Sequence, residues 1–391
     1  MFDSDEIKDG LTRGPVRGRG AGINPGNRYE SVRLHILGEH LDEQAREHPC
    51  GQQVRTQVHD DDSRSILNRV DSPDLGFHWT VNPYRGCEHG CIYCYARPGH
   101  EYLAMSSGLD FETQIFAKRE APRLLRHALT RPSWQGERIM FSGVTDCYQP
   151  VEAKLQITRE CLKVCNELGQ PISIVTKSKL VLRDLDLLKQ LAVHNAASVA
   201  VSITTLDNAL AAKMEPRASS PRERLETVRA LSAAGIPTSV MVAPIIPALN
   251  ESEVPAILAA ASEAGARDAG YVLLRLPHQI KALFEEWLER HFPERAAKVL
   301  NALREMRGGE LYRAEFFERQ RGTGVRAEQI AATFAVFKRR AGLGRDNVLE
   351  QAEGTVSSPS DPGKAESKSR LSSAEFLRRR AMGDGQLGLF G

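Results

Sequence analysis

The sequence has no apolar run long enough to span a bilayer and nothing resembling a signal peptide at its start. Neither membrane insertion nor export is expected, and a cytoplasmic protein is. It also lacks charge bias. Against 52 lysines and arginines stand 50 aspartates and glutamates, for a net charge of +2, a balance that neither demands nor excludes nucleic acid. Cysteine is scarce, 7 in 391 residues, and a disulfide framework is not expected in such a compartment. What remains, 41% hydrophobic and 26% charged residues, is ordinary globular composition, sufficient for one large α/β domain with appendages.

The few cysteines are not spread evenly. Three fall within Asn82 to Arg97, NPYRGCEHGCIYCYAR, as Cys87, Cys91 and Cys94 in a C-x-x-x-C-x-x-C spacing. Thiolates are soft ligands, and a short glycine-bearing loop can aim three of them at one iron-sulfur cluster. A fourth iron would then lack a cysteine from this motif, leaving a position where a small molecule can bind and be activated. A Cys3His zinc site completed by His89 stands beside this reading, because the spacings fall within zinc-ligand range.

From Ser65 onward, short β-like runs alternate with amphipathic helical stretches, the pattern of repeated βα units with parallel strands. Strands are expected near 78–81, 138–142, 172–176, 199–204, 238–243 and 271–276, with helices between them near 122–129, 154–168, 184–191, 221–234 and 251–263. Six such units make a partial (βα)6 barrel, with the cysteine loop following the first strand at the C-terminal face where such barrels place chemistry.

The stretch NPYRGCEHGCIYCYARP resembles the radical S-adenosylmethionine enzymes, whose motif is C-x-x-x-C-x-aromatic-C with Tyr93 in the aromatic place. Within that family it is similar to the subgroup related to spore photoproduct lyase, a DNA repair enzyme, over roughly residues 65 to 280. The resemblance implies a [4Fe-4S] cluster on Cys87, Cys91 and Cys94, and S-adenosyl-L-methionine chelating the open iron. It also implies an electron donor, and a 5'-deoxyadenosyl radical that takes hydrogen from the substrate. Tyr93 would lie near the adenine. The wider family often has a glycine-rich motif ending in glutamate after the second strand; here the sequence departs to Ser142, Gly143, Thr145 and Asp146, which stand as the cofactor-binding candidates.

Lys177, Ser202, Glu215 and Arg217 follow the third and fourth strands and are further cofactor-site candidates; an ordinary loop salt bridge is the alternative for the last two. Cys147 and Tyr148 place a thiol and a phenol close to the expected radical. The resemblance implies a cysteine that returns hydrogen to the product radical and a tyrosine that helps regenerate the cofactor radical, whereas free cysteine also often only packs. Cys161 and Cys165, at i and i+4 on one helix, read as core with a second metal as the alternative.

Residues 1–64 read as a flexible Gly/Arg-rich region, in which Arg13, Arg17, Arg19 and Arg28 can pair with phosphates or merely solubilise. Residues 281–345 read as helical, with Arg319, Arg321, Arg326, Lys338, Arg339, Arg340 and Arg345 as a positive excess that can track phosphates or face water. Residues 346–391 read as a disordered tail. Its end, with Gln386, Leu387, Leu389 and Phe390, resembles the motif by which bacterial DNA polymerases and repair proteins hold the sliding clamp: two leucines and an aromatic as apolar anchors, and a glutamine amide that fixes register. The expectation is a radical enzyme acting on DNA or a nucleotide. Its rivals are a radical enzyme for protein, tRNA or a small metabolite, and a non-catalytic, clamp-tethered binding module.

Overall fold

Residues 16–29, 54–344 and 371–387 are described in a computed structural model, with side chains of the last segment described to residue 382. The strands are β1 (Gln57–Asp60), β2 (Leu67–Arg69), β3 (Trp79–Val81), β4 (Tyr84–Arg85), β5 (Gln114–Ala117), β6 (Ile139–Phe141), β7 (Ile172–Thr176), β8 (Ala197–Ser202), β9 (Thr238–Ile245) and β10 (Asp268–Leu273). Seven of them form one sheet in the order β10-β9-β8-β7-β6-β3-β2. All neighbours from β3 to β10 run parallel, and β2 adds an antiparallel edge. The six expected strands are therefore present and adjacent, in an open rather than a closed sheet.

Register explains which face is covered. Phe141, Ile174 and Val199 align across β6, β7 and β8, and Val201, Val240 and Ala269 across β8, β9 and β10, all buried. On the opposite face Met140, Ala200, Ser239 and Gly270 stay half-buried. Alternation of branched apolar with small residues thus gives the sheet one helix-packed face and one more open face. The intervening helices are punctuated as the sequence suggests. Ser220 and Glu223 make a reciprocal capping box ahead of Pro221–Ala233, and Gly169 ends Ile157–Leu168 in a left-handed conformation.

A second, small sheet runs β1-β5-β4, and β4 leads straight into the cysteine loop. These two-to-four-residue strands have no periodicity long enough to read from sequence. The helical region after β10 appears as Ile280–His291, Pro293–Glu305 and Gly324–Arg340. Three members of its expected positive track are paired with acids from distant segments. Arg319 Nε lies 2.6 Å from Asp74, Arg326 3.0 Å from Glu251 and Lys338 2.5 Å from Asp268.

Two segments depart from their expected flexibility. Residues 16–29 lie against the cysteine loop. There Arg19 donates to Glu112 O at 2.6 Å and to Thr56 Oγ1 at 3.0 Å, and Arg28 pairs with Glu101 at 2.5 Å, so these two arginines bind protein groups rather than standing free for phosphate. Arg13 and Arg345 lie outside the described residues. Near the other end, a helix Ala374–Leu387 docks on the barrel. Phe376 is 2% exposed and sits over Gly136, Arg380 donates to Trp134 O and Pro132 O, and Arg379 donates to Asn166 O. Composition hid this because one aromatic and two carbonyl-seeking arginines suffice for the attachment. Leu389 and Phe390 lie outside the described residues, as do the side chains of Gln386 and Leu387.

Replacing Phe376 with alanine is expected to lower unfolding stability by about 3 kcal/mol, the usual cost of emptying a buried phenylalanine site. Denaturant unfolding measures it, and an unchanged midpoint would show that the helix does not dock.

Candidate active site

The cysteine loop is fixed at every turn. Cys87 N donates to Phe111 O at 2.9 Å and Ile92 N to Met214 O at 3.0 Å, while Gln149 accepts from Glu88 N at 2.9 Å and donates to Gly86 O at 3.1 Å. Arg97 donates twice to Cys91 O, at 2.9 and 2.8 Å, and once to Glu112 Oε1 at 2.6 Å. Glu112 also accepts the Gly20 and Ala21 amides at 3.0 and 2.8 Å. Such close approach needs glycine: Gly90 has φ +67° with no room for a Cβ beside Glu112, and a Cβ on Gly20 would collide with the Gly90 carbonyl.

Cys87 and Cys91 are buried and Cys94 half-buried, all three as free thiols. Burial, and the Glu215 charge after it, push the Cys91 thiol up to about 12, with Lys177 opposing. Burial likewise raises Cys87 and Cys94. Without metal these sulfurs hold protons that metal binding must displace. His89, the zinc alternative's fourth ligand, instead aims Nδ1 at Asp146 Oδ2, 3.3 Å away. Among the described residues no three His, Cys, Asp or Glu side chains converge as a single ion requires. A cluster spreads its thiolates over separate irons, and the three loop thiols fit that donor set.

Around the loop, strand-end residues interlock. Tyr93 OH donates to Glu215, which is paired with buried Arg224 and accepts from Thr204 Oγ1 at 2.7 Å. Burial would raise the Glu215 carboxyl, but Arg224 and Lys177 hold it below its ordinary value. Glu215 is thus spent on bracing Tyr93. Arg217 takes the salt-bridge alternative, lying 2.9 Å from Glu88 of the cysteine loop. Ser202 Oγ donates to Ala243 O at 3.1 Å. Lys177 remains at the site, its ammonium 5.8 Å from the Tyr93 ring centre.

Asp146 is also engaged, accepting from Lys177 N at 2.8 Å, Thr176 Oγ1 at 2.9 Å and Tyr148 N at 2.9 Å. Burial opposes its charge, but His89 and these donors hold it at about 2. Thr145 turns its hydroxyl to Tyr84 O at 3.0 Å. Ser142, at a left-handed φ of +68°, accepts the Cys147 amide at 2.9 Å, and half-buried Gly143 offers its carbonyl at the mouth. Cys147 and Tyr148 do not reach that mouth. Both are fully buried, and Tyr148 OH donates to Asp184 at 3.1 Å. The chain turns at Ser142 and carries both side chains inward, where they pack in the core. Cys161 and Cys165 are fully buried core.

Two residues at the mouth were not singled out from sequence. Tyr95, 47% exposed, donates to Gly143 O at 2.6 Å, and Arg275 lies 5.1 Å from its ring centre. Tyr95 directly follows the last loop cysteine, and that adjacency was the available signal. Arg275 had none.

The site is thus a three-cysteine loop that follows the first parallel strand of an open sheet. Residues 81–261 match the model of the Radical SAM superfamily. An uncharacterized protein of Mycobacterium tuberculosis is 39% identical over 234 residues, 59% of this chain and 69% of that protein. The chain belongs to the radical S-adenosylmethionine superfamily, whose members use a [4Fe-4S] cluster and S-adenosylmethionine. A Radical SAM Nalpha-GlyT isomerase of Pseudomonas phage M6 is 28% identical over 171 residues, 43% of this chain and 33% of that protein. The fold is similar to that of a cysteine-to-serine mutant of spore photoproduct lyase, with a TM-score of 0.52 and 16% identity over 81% of this chain and 86% of that one. Among the described residues no helix is long and apolar enough to cross a membrane.

Cys91→Ala is expected to abolish cluster assembly. Iron, sulfide and visible absorbance after anaerobic reconstitution measure it, and a fully loaded variant would remove the ligand assignment.

Proposed function

We propose that this chain performs radical chemistry on DNA or a nucleotide, with Cys87, Cys91 and Cys94 as cluster ligands. The observation that carries the chemistry is the three-thiol loop, two of its cysteines buried, locked at the strand ends beside Tyr93 and Lys177. When bound, the cluster and S-adenosylmethionine supply hydrogen-atom abstraction. Lys177 would pair with the carboxylate of the cofactor, and Tyr93, fixed by Glu215 and Thr204, would wall its adenine. Ser142 and Gly143 line the approach, and the close packing of residues 16–29 over the loop keeps water from one side.

The nucleic-acid part of the reading is supported by the kinship in fold with spore photoproduct lyase. The C-terminal Gln386, Leu387, Leu389 and Phe390 serve, in this proposal, to recruit the enzyme to the sliding clamp. An external one-electron donor reduces the cluster.

Reconstituted protein with dithionite and S-adenosylmethionine is expected to form 5'-deoxyadenosine, followed by chromatography, and a damaged DNA that is substrate will raise the yield. An intact reduced cluster that forms none, with or without DNA, would overturn the catalytic reading. Separately, Phe390→Ala is expected to weaken capture of the chain by immobilised clamp about tenfold or more, as loss of an aromatic anchor does. Wild-type protein that is not captured would end the clamp proposal.

A further inference from the structure

The mouth of the barrel carries an arrangement that neither the cluster nor the core explains. Phe316 and Phe317 are adjacent, and 47% and 63% exposed. Phe317 has a left-handed φ of +69°, which a bulky residue adopts only when its surroundings impose it. Here they do. Asp74 accepts from Phe317 N at 3.4 Å and from Arg319 Nε at 2.6 Å. Buried Arg307 donates to Glu318 O at 2.7 Å and to Leu274 O at 3.0 Å, tying this loop to the end of β10. The fold therefore holds two aromatic side chains out in water, where core packing gains nothing from them.

The residue after Leu274 is Arg275, whose guanidinium lies over exposed Tyr95 at the cysteine loop. Its Nε is shielded from solvent yet has no hydrogen-bond partner. Among the described residues no carboxylate stands in ion-pair reach of it, and Arg307 crowds it with like charge. Arg319 lies 4.7 Å from the Phe316 ring centre, on the loop that Arg307 ties to Leu274, so that loop adjoins the residue that covers Tyr95. Flat aromatic faces on a loop tied to Leu274, together with the next residue's guanidinium that meets no carboxylate among the described residues, match a base and its phosphate; an acidic peptide would satisfy the charge and leave the rings unused.

We propose that Phe316, Phe317 and Arg275 form the substrate platform: the two rings stack on an unpaired base, and Arg275 pairs with its phosphodiester, in a single strand or a nucleotide swung out of a duplex. A base inside an intact duplex cannot reach a site at the strand ends, so a paired, undamaged duplex binds more weakly. The proposal rests on the nucleic-acid reading above and adds where and in what form the strand is held.

The test is fluorescence anisotropy of the cluster-loaded full chain with a labelled oligothymidylate, an oligouridylate and a blunt duplex, each over a range of salt. Iron content and circular dichroism verify each variant. The double variant Phe316→Ala, Phe317→Ala is expected to bind the single strands about tenfold more weakly. Arg275→Met is expected to weaken them and to reduce the slope of log affinity against log salt by about 0.7, the share of one phosphate contact; a merely structural role would leave that slope unchanged. Loss in both single-strand arms supports a platform blind to the sugar, and loss in one identifies the strand. Wild-type protein that binds oligonucleotides while folded variants bind equally well, with the same slope, overturns the platform and leaves the nucleic-acid reading standing. Displacement by polyglutamate as effective as by the oligonucleotide would overturn it in favour of an acidic-peptide surface. Wild-type protein that binds none of the three probes overturns the nucleic-acid reading, and the platform falls with it.

Discussion

Beneath the cysteine loop, Arg97 and Glu112 form an ion pair from which water is wholly excluded. Removing two such charges from water costs several kcal/mol per ion, which is recovered only when every remaining donor and acceptor is met. Here they are met. Arg97 spends its other hydrogens on the Cys91, Ser107 and Gly108 carbonyls, and Glu112 takes two backbone amides from the N-terminal segment. The pair thus joins three pieces of chain distant in sequence and sets where Cys91 sits. Losing one partner would leave the other charge buried and uncompensated, so the loop and the segment over it hold together or loosen together.

That linkage marks the limit of what the sequence makes legible. The cysteine spacing and the six strands could be read because each is a local pattern: ligands a few residues apart, and apolar alternation bounded by helices. Arg19, Gly20 and Ala21 could not be read as structural, because their partner Glu112 lies some ninety residues away and the segment's own composition is that of a flexible tail. Arg319, Arg326 and Lys338 misled in the same way. Each belongs to a run that looks like a cationic surface, and each has an acid waiting on another element. Local composition reports the solvation a segment would have alone, and tertiary pairing overrides it.

The Ser142 to Tyr148 turn illustrates a finer limit. Its residues are the right types for a radical site and lie at a strand end, but a strand end has two sides. The left-handed turn at Ser142 sends Gly143 to the mouth and Cys147 into the core. Asp146, which looks like a ligand in the sequence, is consumed by donors from β7 and by His89, and so acts as a strut between the second strand's loop, the third strand and the cysteine loop. Glu215 is consumed by Tyr93 and Arg224 in the same way. Of the charged candidates around the cluster, Lys177 is the one whose side chain is left facing it.

The protein therefore divides its charges by depth. Deep carboxylates meet donors within the fold, which keeps the cluster loop rigid and prevents a stray acid from competing for iron. Toward the rim the balance shifts: buried Arg307 gives its hydrogen bonds to backbone carbonyls, Arg275 meets no carboxylate among the described residues, and exposed Phe316 adjoins exposed Phe317, whose backbone φ is positive. A site that must generate a reactive radical gains from a rigid interior that excludes water and from a mouth whose groups are completed by the substrate itself. A rim arginine left for the substrate and a fully paired Arg97–Glu112 ion pair beneath the cysteine loop are the two halves of that arrangement.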